Sequence, residues 1–241
     1  MQIDTLIDKA RAGSFGRVHL LLGAERFLIE RAIRLLRAAA VGDGIPGFNE
    51  DLFIGKGTRG DPVVSAAKTL PMMGGTRFVL VRDVDQMDAA GQALLGEYLL
   101  EPVESTCLVL TAKKLDGRGK LSKNAKKGRY IVDAKPLKGG ALRSFASAEA
   151  SARGHRLEPA AAAALVDALG DDLAALDDAT ERLSLFVGEG RPIDVSAVEA
   201  CVSRIRIDSI WALVDAVSLR DAGRALSAAN SLLGDREPPL K

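Results

Sequence analysis

Val18-His19-Leu20-Leu21-Leu22-Gly23 runs directly into Ala24-Glu25-Arg26-Phe27-Leu28-Ile29-Glu30. The first six residues form an almost continuous apolar run closed by glycine, the pattern of a strand buried on both faces. From Phe27 onward, apolar residues recur at three and four: Phe27, Leu28, Ala32, Ile33, Leu35 and Leu36. Glu25 and Glu30 come early and Arg34 and Arg37 late, which suits a helix dipole. The junction reads strand, turn, helix: the opening unit of a parallel sheet covered by helices.

Working outward, residues 1–16 read as a short amphipathic helix with Leu6, Ile7 and Ala10 on one face. Downstream, Asp51–Ile54, Arg77–Arg82, Thr106–Ala112 and Arg129–Ala134 are strand candidates. A short helix is expected from Asp61, as N-cap with Pro62 at N1, to Lys68, and another from Asp88 to Leu100. Strand and helix alternate with few hairpin signals, so the sheet is expected to be parallel. After Lys135-Pro136 every periodic stretch is helical: 139–153, 158–169, 171–187 and 195–203. A further helical unit is expected from about Ile207, with Ile210, Trp211, Val214 and Val217 on one face. Its two helices are too few for a core of their own. The expected division is thus 1–136 (α/β), 137–205 (helical) and 206–241 (the start of a third, helical unit).

Composition narrows the function. Lys+Arg number 33 and Asp+Glu 32, a net charge of +1, which excludes a globally basic nucleic-acid binder but leaves local patches open. Cys107 and Cys201 are isolated, so no disulfide framework is expected and a reducing cytoplasm is the natural setting. No apolar run reaches the roughly 18 residues of a membrane span, and the N-terminus has no secretory-signal pattern.

The turn after the first strand is where a nucleotide phosphate would sit in such a sheet. A phosphate loop needs G-x-x-x-x-G-K-[ST]. Gly23-Ala24-Glu25-Arg26 supplies neither the glycine-rich cradle, nor the lysine, nor the hydroxyl. Asp83 and Asp85, at the end of the Val79–Val81 strand, could hold Mg²⁺ beside a phosphate; otherwise they are capping or surface groups. His19 reads as a core or edge histidine, and no Cys/His/Glu set has metal spacing. No catalytic residue, cofactor or metal is expected.

Two stretches remain as candidate sites. Leu70-Pro71-Met72-Met73-Gly74-Gly75 is a shaped turn between a helix and a strand. Its methionines are either core filler or adaptable apolar anchors offered to a partner. The segment 113–129 carries Lys113, Lys114, Arg118, Lys120, Lys123, Lys126 and Lys127 against the single acid Asp116. It is either a solvated face or a sequence-blind phosphate contact. No aromatic is interleaved, so base stacking is not suggested.

The order of these features resembles the delta subunit of the bacterial DNA polymerase III clamp loader. The resemblance is carried by Val18–Glu30, by Thr69–Met73 with Arg77–Arg82, by Leu115-Asp116 with Lys120-Leu121, and by Leu169–Leu173 with Glu181-Arg182-Leu183. It implies an AAA+-like first domain without a phosphate loop, a helical lid over 137–205 and the start of a truncated collar over 206–241. It implies a non-catalytic subunit that binds the sliding clamp (the beta subunit) and opens its ring for loading on primed DNA during replication. Other loader subunits would be met through the collar, and DNA only weakly or indirectly. The implied clamp-binding residues are Leu70, Pro71, Met72 and Met73. Many relatives carry Leu or Phe at the two crest positions, so Met-Met keeps the bulk and lowers the rigidity. The alternatives are an AAA+-type ATPase with an atypical nucleotide site, and a DNA-binding adaptor.

Overall fold

The computed structural model describes residues 1–42, 47–72 and 75–234, and their side chains except at 202–212, 227 and 230–234. Two compact units emerge, Met1–Pro136 and Leu137–Lys241.

The first unit is built in the order α1 (Ile3–Arg11), β1 (Val18–Leu22), α2 (Arg26–Val41), β2 (Glu50–Ile54), α3 (Gly60–Lys68) and β3 (Arg77–Arg82). A 3₁₀ turn (Val84–Gln86) follows, then α4 (Ala89–Tyr98), β4 (Thr106–Ala112), α5 (Lys120–Lys127) and β5 (Ile131–Asp133). The strands form one sheet in the order β2-β3-β4-β1-β5, and every pair is parallel. The α/β parallel architecture read from the sequence is the one observed. β4 is buried at all seven positions, as its largely apolar sequence predicts.

The two sheet faces divide by side-chain alternation. Val79, Val81, Leu108, Leu110, Val18 and Leu20 pack with Val63 and Ala67 of α3, Leu95 and Leu99 of α4 or its end, and Leu121 and Ala125 of α5. Phe78, Leu80, Cys107, Val109 and Leu21 alternate with them and are also buried. α2 packs on β3 and β4, and on α1. β2 is the outer strand next to β3, and its Leu52 and Ile54 remain exposed.

Asp61 is not an N-cap. Helix α3 begins at Gly60 after Arg59, and Asp61 lies inside the first turn, ion-paired to Arg59 at 3.0 Å. The reason lies in packing: a Cβ on Gly60 would stand 2.7 Å from the Gly91 Cα of α4, so this helix start is docked on its neighbour. Asp88 does cap α4, accepting from Gly91 N–H at 2.6 Å.

The second unit is helical: α6 (Gly140–Ala152), α7 (Pro159–Leu169), α8 (Leu173–Val187), α9 (Val195–Ser218) and α10 (Ala222–Gly234). Asp172 and Asp194 cap α8 and α9 by accepting backbone N–H bonds. Arg153 ties α6 to α8, donating to Glu149 at 3.0 Å and to Asp177 at 2.8 Å. The helix expected at 195–203 continues to Ser218, because no Gly or Pro interrupts 195–218.

Candidate functional site

The described residues on either side of the turn between α3 and β3 are held at three places. At the α3 end, the Ala67 carbonyl accepts from Thr106 Oγ1 at 2.9 Å and from Tyr98 Oη at 3.3 Å. Thr69 Oγ1 closes the last helical turn on Ser65 O at 2.9 Å. At the β3 end, Arg77 donates from Nε to Asp51 of β2 at 2.9 Å, and its backbone N–H donates to Ser105 O at 2.9 Å. Between them stands Asn49, which is 5% exposed. Its Nδ2 donates to the Met72 carbonyl at 3.0 Å, and its Oδ1 accepts from the Met72 N–H at 2.7 Å.

On this frame Leu70 is 70% exposed and Met72 56% exposed, while Pro71 is half-buried. Of the two readings of the turn, core filler fails for Met72: its main chain is held and its side chain is left in solvent. Met73, the other crest residue, and Gly74 lie outside the described residues. Asn49 is the residue that sequence reasoning missed. Read locally, it is one more polar residue after Gly47; only the β2–β3 register brings it to Met72.

The nucleotide position lies at the other end of the sheet, at the C-terminal ends of β1, β3 and β4. A cleft of about 390 Å³ there is lined by residues including Gly23, Arg26, Glu30, Arg82, Asp83 and Lys113. The turn that would cradle a phosphate is committed elsewhere. Gly23 N–H donates to Ala112 O and Glu25 N–H to Ala134 O, both at 3.0 Å. The Glu25 carboxylate accepts from Phe27 N–H at 3.3 Å. Inside the cleft Arg82 forms a two-pronged ion pair with Glu30, the second prong 2.8 Å long. The Arg82 bond is the main influence holding the Glu30 carboxyl below its ordinary range. Asp83 adopts a left-handed backbone, and its N–H donates to Thr111 Oγ1 at 2.9 Å. Among the described residues no cluster of three His, Cys, Asp or Glu could hold a metal.

The basic segment becomes a loop and α5. Leu121, Ser122 and Ala125 face inward; Lys120, Lys123, Lys126 and Lys127 face solvent, as do Lys113, Lys114 and Arg118. Lys120 is paired with Glu97 at 2.8 Å and Arg118 with Asp116 at 3.4 Å. Lys113 and Lys114 follow the end of β4, whereas Met72 precedes the start of β3. In a parallel sheet these are opposite ends of the strands, so the structure does not join Lys113 and Lys114 with the turn in one patch.

Residues 19–135 match the family described as DNA polymerase III, delta subunit. The α/β unit is of the delta-subunit type. The delta-type unit contains every feature described in this subsection. The chain is 26% identical to the Bacillus subtilis (strain 168) DNA polymerase III subunit delta, over 96% of this chain and 70% of that protein. The solved Bacillus subtilis DNA clamp loader delta protein (YqeN) superposes with a TM-score of 0.75 at 24% identity, covering 99% of this chain and 73% of that one. The resemblance drawn from Val18–Glu30 and Thr69–Met73 therefore holds, and with it the fold of the delta protein.

Proposed function

We propose that this delta-type chain docks a sliding clamp through the turn Leu70–Met73 and favours the opened ring during DNA replication. The observation that carries the reading is the pairing of exposed Leu70 and Met72 with neighbouring residues held at Ala67, at the Met72 main chain and at Arg77. Exposed apolar side chains on a rigid frame gain about 1.5–3 kcal/mol each when a partner pocket buries them. Binding alone does not open a ring. The turn must prefer the clamp interface in its open form, and the opened population rises by that difference.

This role needs no chemistry from the chain itself. Its phosphate-position turn spends its N–H groups on Ala112 and Ala134, and the Glu25 carboxylate sits at the start of α2, where it would repel a triphosphate. Residues 137–205 would serve as lid and 206–241 as the beginning of a collar meeting other loader subunits, in the cytoplasm. The outward lysines of α5 would give at most an auxiliary contact with primed DNA.

The test is binding to the immobilised cognate clamp. Replacing Leu70, Met72 and Met73 together by Ala is expected to weaken binding by at least ~2 kcal/mol, about thirtyfold. Unchanged affinity ends the docking assignment. Micromolar Mg-ATP binding in calorimetry, abolished in Asp83→Ala, would favour the ATPase alternative instead.

A further inference from the structure

We propose that Asn49 is the positioning residue of the docking turn: its carboxamide holds the Met72 peptide in the presented conformation before any partner arrives. This rests on the docking reading above and adds the device that keeps the turn ready.

The chemistry is that of a primary amide. Asn offers a donor and an acceptor on one plane, so it can satisfy a peptide N–H and C=O together, as a neighbouring strand would. Here Nδ2 reaches the Met72 carbonyl and Oδ1 the Met72 N–H, at 3.0 and 2.7 Å. Asn49 is itself anchored, because its own carbonyl accepts from Phe78 N–H at 2.7 Å at the start of β3. The side chain thus extends the β2–β3 ladder sideways onto the turn. Asn49 is buried, whereas Met72 is exposed. A pair of bonds made wholly within the protein therefore sets the direction of a side chain that itself packs on little.

The consequence is kinetic. A turn already ordered loses less conformational freedom on binding, so more encounters are productive. Without the grip, only a fraction of molecules present the turn correctly, and the apparent affinity falls by that fraction. The loss should appear in association. Truncating an anchor that touches the partner should appear in dissociation.

The experiment uses the full chain with the cognate sliding clamp immobilised, and compares Asn49→Ala, Asn49→Asp and Met72→Ala. Asn49→Asp keeps the size and one acceptor but turns a second oxygen toward the Met72 carbonyl. Expected are an association rate about tenfold slower for both Asn49 variants with dissociation nearly unchanged, and faster dissociation for Met72→Ala. Amide hydrogen exchange at Met72, read on the free chain, should show protection in the parent and none in Asn49→Ala. Should Asn49→Ala fail to fold, Asn49→Asp carries both measurements. Parent-like association in the folded Asn49 variants overturns the proposal, as does an unprotected Met72 amide in the parent. If the chain with Leu70, Met72 and Met73 all replaced by Ala binds like the parent while the amide is protected, the docking reading fails and the Asn49 grip stands as structure alone.

Discussion

The Gly23 Cα faces the Ala134 carbonyl so closely that a Cβ at position 23 would stand 2.1 Å from its oxygen. The same carbonyl accepts the Glu25 N–H at 3.0 Å, so β5's exit fills the space beside the β1–α2 turn. Gly23→Ala must displace that backbone and is expected to cost on the order of 3 kcal/mol. Gly13→Ala is the control: it also has a positive φ, +73°, but nothing lies within 4 Å, so only backbone strain of about 1 kcal/mol is expected. Urea denaturation of both variants decides, and equal losses would contradict the close approach.

His19 is expected to make the fold acid-sensitive. Burial, then the charge of Lys9, holds its imidazole pKa down to about 4 from 6.5. Gly16 N–H donates to its Nε2 at 3.0 Å, which a doubly protonated ring cannot accept. The sign follows from linkage: below pH 6.5 the unfolded chain binds a proton that the folded chain refuses until about pH 4. Stability is complete above about 6.5 and declines as pH falls toward about 4, by about 3 kcal/mol in all. Denaturation midpoints across roughly pH 4–7 should show this slope, and His19→Phe should flatten it. A parent and variant with the same slope would exclude His19 as its source.

Exposure separates function from stability in the turn. Leu70→Ala and Met72→Ala should change unfolding free energy by no more than about 0.5 kcal/mol, since little is packed on either side chain. Leu110→Ala, in fully buried β4, should cost about 2–5 kcal/mol. Thermal or urea unfolding of the three variants checks this, and a large loss at Met72 would show that its side chain is part of the core.

The lysines of α5 can be counted by salt. If Lys123, Lys126 and Lys127 touch phosphates, replacing all three by Ala should lower the log–log salt slope of duplex DNA binding by roughly 0.9 for each phosphate they neutralise. Lys120, held by Glu97, should add less than these. Binding to a short primed duplex, titrated with salt, is the measurement. An unaltered slope would reduce this face to a solvated one.

Much of the architecture was legible residue by residue. Arg77–Arg82 and Thr106–Ala112 are strands with the expected bounds, because an apolar run flanked by polar turns reports burial directly. The mismatch between Gly23-Ala24-Glu25-Arg26 and a phosphate loop was equally plain, since that chemistry requires particular residues at particular spacings. Exposure of Met72 was not legible: local sequence allowed a buried or a presented methionine, and only the resemblance chose between them.

The sequence by itself determined which segments become strands and helices and that the α/β part precedes the helical part, because periodicity encodes which side of each element meets water. The tertiary structure alone decided what Asn49 does, where α3 begins and why position 23 admits no side chain. Those depend on strand register and on backbones meeting across the sheet, as when residues 23 positions apart exchange two hydrogen bonds. Local patterning carries no information about such distant partners.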